Sequence, residues 1–119
     1  MSVKNFRELI AWQKSVDLVI EIYQASASFP KEELYGLTSQ LRRAAISIPS
    51  NIAEGQGRDS TPEFLRFLSI AYGSICELQT QVIIAQRLEY LSDKTANSLF
   101  ELSAEVARIV NGLRNALGK

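Results

Sequence analysis

Arg43, Ser47, Asn51 and Glu54 thread through what otherwise reads as a core helix, within Tyr35-Gly-Leu-Thr-Ser-Gln-Leu-Arg-Arg-Ala-Ala-Ile-Ser-Ile-Pro-Ser-Asn-Ile-Ala-Glu-Gly55, followed by Gly57-Arg58. Their spacing, continued by Arg58, keeps them on one stripe of a helix. Apolar residues at Leu37, Leu41, Ala44, Ile48 and Ile52 mark the buried face beside it. If Arg43, Ser47 and Glu54 met in a buried site, they would offer a cation, a hydroxyl and a carboxylate to a substrate. The plainer reading is a solvated helix edge or a structural ion pair. Arg43 and Glu54 stand eleven residues apart, about 16 Å along a helix at ~1.5 Å per residue. They cannot pair with each other, and partners are expected on other helices or subunits.

Other chemistry is poorly supplied. The chain has no histidine, hence neither the usual neutral-pH general base nor the commonest metal ligand. Di-iron bundles need Glu-x-x-His pairs, and helical nucleases with an Arg-x-x-x-x-His motif need the same missing residue. Cys76, between Ile75 and Glu77, has no neighbouring base to stabilise a thiolate and reads as a packed thiol. Gly55-Gln-Gly57 lacks the further glycine and lysine of a phosphate-cradling loop. The expectation is a non-enzyme without cofactor, metal or small-molecule substrate.

The elements that would position the stripe are all helical. A first helix is expected over residues 5–27, with a core seam of Leu9, Trp12, Val16, Val19 or Ile20, and Tyr23. It stops before Phe29-Pro30, since a residue preceding proline is pushed out of helical geometry. A second covers residues 37–55. Pro49 in its interior removes a hydrogen bond and predicts a kink near residues 45–49, with Ser47 or Ser50 able to serve the freed carbonyls. Gly55 to Ser60 breaks the chain, and Ser60-Thr-Pro-Glu63 matches a capping box. A third helix to about Tyr90 carries Phe64, Leu68, Ala71, Ile75, Leu78, Val82 and Ala85 in alternating steps of four and three. Ser92 caps a fourth, whose seam is Leu99, Leu102, Val106, Ile109 or Val110, and Leu113.

Residues 1–119 therefore read as one all-α domain, an antiparallel up-down-up-down four-helix bundle. Apolar residues off the seams predict a subunit interface from Ala11, Leu18 and Ile22 on the first helix, Ile46 and Ala53 on the second, and Leu65, Tyr72 and Ile83 on the third. Thirteen basic and thirteen acidic side chains cancel, so any nucleic acid would need a local patch. Arg42, Arg58, Arg66 and Arg87, each off its seam, are the exposed candidates; Asp59, Glu63, Glu77 and Glu89 stand near enough to neutralise them. The lone cysteine, the absence of a run of about twenty apolar residues and the polar N-terminus suggest a cytoplasmic setting without membrane contact.

From Phe6 to Leu91 the chain resembles the bacterial four-helix-bundle proteins typified by the 23S rRNA intervening-sequence protein, a family that also resembles the accessory variability determinant of diversity-generating retroelements. The landmarks are Leu9, Trp12-Gln-Lys14, Phe29-Pro30, the run from Tyr35 to Ala45, Ser47 to Gly55, Gly57-Arg58, Glu63-Phe64, Ala71, Gly73-Ser74 and Glu77-Leu78. Gln79 departs from the pattern, where a glutamate is expected before Thr80-Gln81. The resemblance implies a homopentameric ring without established enzymatic activity, and nucleic-acid binding among the retroelement relatives. Together these readings predict a non-catalytic oligomeric scaffold that presents a surface to RNA or a protein partner. The alternatives are a protein-only adaptor, or an enzyme using Arg43 and Glu54.

Overall fold

The computed structural model describes residues 5–118. They form helices α1 (Ile10–Ser26), α2 (Leu37–Gly57), α3 (Thr61–Arg87) and α4 (Asp93–Leu117), with single 3-10 turns at Phe6–Glu8 and Lys31–Glu33. No strand occurs among the described residues. α1 packs on α2, α2 on α3, α3 on α4 and α4 back on α1, so α1 and α3 occupy opposite corners. The body measures 45 × 24 × 19 Å, its long dimension close to the ~40 Å that the 27 residues of α3 span at ~1.5 Å each.

Local chemistry fixes the helix starts. The Ser60 and Ser92 hydroxyls accept the Glu63 and Thr95 amides at 3.4 and 3.1 Å, capping α3 and α4 as their sequences predict. α2 has no cap of its own at Gly36. Glu33 serves instead, one carboxylate oxygen accepting the Leu37 amide at 3.1 Å and the other the Tyr90 hydroxyl at 3.1 Å. That hydrogen bond pushes the Tyr90 phenol above its ordinary value.

Several boundaries differ from expectation. The first helix does not begin at Asn5: the Asn5 side chain caps a 3-10 turn, Leu9 is extended, and the Phe6 ring meets Trp12 edge-on at 5.2 Å. α2 does not break at Gly55 but runs to Gly57, with Pro49 buried inside it. Gly55 is a packing position, since a Cβ there would lie 2.6 Å from Phe67 Cβ. α3 ends at Arg87, where the Glu89 and Tyr90 amides return to the Gln86 and Ala85 carbonyls at 2.9 Å and Glu89 takes a φ of 64°. That is the Schellman arrangement, with a glutamate where glycine is usual.

The α1 face is the main correction. Its buried residues are Ala11, Ser15, Leu18, Ile22 and Ser26, while Ile20 and Tyr23 are exposed. Ser15 and Ser26 disguise the core face, because each hydroxyl donates to a carbonyl of its own helix, Trp12 at 2.8 Å and Ile22 at 2.7 Å, and so buries without penalty. Ala11, Leu18 and Ile22 are therefore core residues of the chain, not a subunit interface. The α3 seam is buried as read, apart from half-buried Phe64.

Candidate functional site

The polar stripe on α2 divides into three parts. Ser47 and Asn51 lock α2 to α3: the Ser47 and Ser74 hydroxyls are 2.8 Å apart, and the Asn51 amide donates to the Ser47 carbonyl at 2.7 Å and to its hydroxyl at 2.9 Å. Glu54 pairs at 2.8 Å with Arg58, the residue that caps the end of its own helix, correcting the expectation of a partner on another helix or subunit. Arg43 is exposed and makes no hydrogen bond or ion pair among the described residues. The three groups needed for an Arg43, Ser47 and Glu54 catalytic site do not converge, and both charged members face solvent.

The four arginines proposed as exposed cations have different fates. Arg58 continues from Glu54 to Glu63 at 3.7 Å, and Arg66 meets Glu63 at 3.2 Å, both guanidinium groups lying over the Phe67 ring at 5.0 and 4.5 Å. This chain of charges clasps the α2–α3 turn. The hydrogen bond from Arg66 holds the Glu63 carboxyl below its ordinary value. Arg42 is half-buried rather than exposed: it donates to the Ser26 hydroxyl at 2.8 Å and the Tyr23 carbonyl at 3.2 Å, with its guanidinium 4.4 Å above the Tyr23 ring. Arg87 is exposed in the last turn of α3, where a cation suits the helix dipole.

Arg42 and Arg43 share a groove of 630 Å³ between the end of α1 and the start of α2, lined also by Tyr23, Leu34, Tyr35, Thr38, Ser39 and Ile46. Tyr35 is 92% exposed. A recess of 290 Å³ adjoins it through Arg43, with Gln40, Ala44, Ser47 and Glu77 on its walls. Spacing misses Tyr23 and Tyr35 as groove residues, because the misread α1 face assigns Tyr23 to the core and Tyr35 sits in a connector without periodicity. The one available signal is a tyrosine immediately before the glycine that opens α2.

Among the described residues no cluster of His, Cys, Asp or Glu could hold a metal ion, and Cys76 is exposed rather than packed. α3 is the one described helix long and apolar enough on average to cross a membrane, although polar residues interrupt it throughout, and 44% of its most apolar stretch is buried inside the bundle. Of the remaining interface candidates, Ile46 and Ile83 are exposed, Ala53 and Leu65 half-buried, and Tyr72 half-buried beside Arg114 of α4 at 5.4 Å.

The family model described as 23S rRNA-intervening sequence protein matches residues 7–112. No curated protein matches the chain. Among solved structures, one of a protein of unknown function from the S23 ribosomal protein family of Bacteroides thetaiotaomicron is similar, with a TM-score of 0.79 and 21% identity over 88% of this chain and 98% of that one. At that identity the likeness shows a shared fold.

Proposed function

The chain belongs to the 23S rRNA-intervening sequence protein family, and we propose that it is a non-catalytic scaffold that assembles with itself and presents a surface to a macromolecular partner. The observation that carries this reading is the apolar surface left outside a completed core. Ile10 and Ile20 on α1, and on another side Ile70 and Ile84 of α3 with Leu88 at its C-cap, are each 41–55% exposed. Two such faces at opposite corners of one chain suit head-to-tail contact, in which the α1 face of one copy meets the α3 face of the next. Contacts of that kind close into a ring when the rotation permits, and the family resemblance points to five copies. Packing between consecutive helices through short connectors supports the up-down-up-down path. The dispersal of Arg43, Ser47 and Glu54 supports a binding role over catalysis.

Mixing variants tests the head-to-tail geometry. Ile20→Asp and Ile84→Asp each spoil one face and should lower the assembly mass while retaining helical circular dichroism. A mixture of the two chains keeps one good α1 face and one good α3 face, so light scattering should find heterodimers that grow no further. Homodimers of either single variant would show like-to-like contact and contradict the reading.

A further inference from the structure

Arg58 and Arg66 are paired with Glu54 and Glu63, whereas Arg42 and Arg43 form no ion pair among the described residues and stand together in the groove beside Tyr35. Two arginines line that groove, and no carboxylate does. The hydrogen bonds of Arg42 to the Ser26 hydroxyl and the Tyr23 carbonyl fix the guanidinium without cancelling its charge. Arg43 is unpaired among the described residues; Glu77 lines the adjoining recess but makes no ion pair with it. In a chain whose acids and bases are equal in number, the lining of this groove carries two positive charges and no negative one, with Glu77 on the adjoining recess and Glu32 and Glu33 in the turn before Tyr35. Beside it lies an aromatic ring that is 92% exposed.

We propose that this groove holds a segment of single-stranded RNA, with a base stacked on Tyr35 and the adjoining phosphate on Arg43. Arg42 adds its field from the wall, and the exposed Ser39 hydroxyl is available to a ribose 2′-hydroxyl. Charge complementarity selects an anion, and the bare tyrosine selects one that carries flat rings between its charges; an acidic peptide would leave the ring unused. A groove of 630 Å³ lies within the usual range for ligand sites and has room for about one or two nucleotides. Ring repetition would align several such weak sites on one strand. The proposal rests on the scaffold reading to the extent that the assembly leaves this groove outward.

Fluorescence anisotropy with a labelled oligouridylate of about 12 nucleotides, run beside sedimentation of the same samples, tests it. The unmodified chain should bind with an affinity that falls as salt rises. Arg43→Gln should flatten the log–log salt slope by about 0.7. Tyr35→Ala should weaken binding at least about fivefold, the lower end of what one stacked base supplies. Arg108→Gln, on exposed α4 surface, should bind as the unmodified chain does, and assembly mass should be the same in all variants. Undiminished binding by Tyr35→Ala, or no association at low salt by an intact assembly, overturns the site. Equal affinity for the matching deoxy-oligonucleotide overturns the assignment to RNA. Dissociation of the assembly by either groove substitution makes the groove a contact between copies and also overturns the proposal. A monomeric chain that binds through Tyr35 and Arg43 sinks the scaffold reading and leaves the groove standing.

Discussion

At Gly55 a single missing methyl sets how closely α2 and α3 approach, since a Cβ would stand 2.6 Å from Phe67 Cβ and 3.1 Å from the Phe64 ring. Alanine there would gain helix propensity yet force two backbones apart, so Gly55→Ala should lower stability by about 1–3 kcal/mol in urea unfolding. Glu89 presents the opposite case. Its φ of 64° is left-handed, and Glu89→Gly should raise stability by about 0.5–1 kcal/mol, the relief of strain offset by a looser unfolded chain. Arg43→Ala should stay within about 0.5 kcal/mol, because the side chain is exposed and unpaired among the described residues. Ile22→Asp should abolish folding, not assembly alone, for Ile22 is fully buried. Arg43 is legible from sequence as a cation out of place. Tyr35 is not, because exposure in a connector leaves no periodic trace.

Each helix shows how far periodicity carries. α3 is legible in position and face because its apolar seam repeats without error and a serine caps its start, whereas α4 is legible in position but buries Ser103 beside the Leu102 that periodicity assigns to the seam. α1 is rotated in the reading because Ser15 and Ser26 count as polar in a pattern but bury once they bond their own carbonyls. The joint between α2 and α3 combines two devices absent from any single-helix pattern: the Ser47–Ser74 bond and the clasp of Glu54, Arg58, Glu63 and Arg66. Ser74→Ala should cost about 1 kcal/mol, since Ser47 keeps its bond from Asn51. The clasp adds a pH dependence of known sign. Glu63 titrates below its ordinary 4.5 in the folded chain, so its contribution is fully present above that value and is lost as pH falls through the lowered folded value. Urea midpoints of Glu63→Gln should lie below those of the unmodified chain at neutral pH, and the gap should close in acid. A gap independent of pH would mean the carboxylate's charge contributes nothing.

On the scale of the whole molecule, four helices close a core and still leave isoleucines bare on α1 and α3 and Leu88 bare at the end of α3. A monomer gains nothing from that surface, whereas a ring of copies would bury it and leave the Tyr35–Arg43 groove repeated around an axis. Periodicity does signal an excess of apolar faces, but the residues that carry it on α1 become visible only once the helix is packed. Sedimentation equilibrium of the unmodified chain at micromolar concentration tests this most directly. The expected result is one species of about five chain masses; a stable monomer across that range would contradict it.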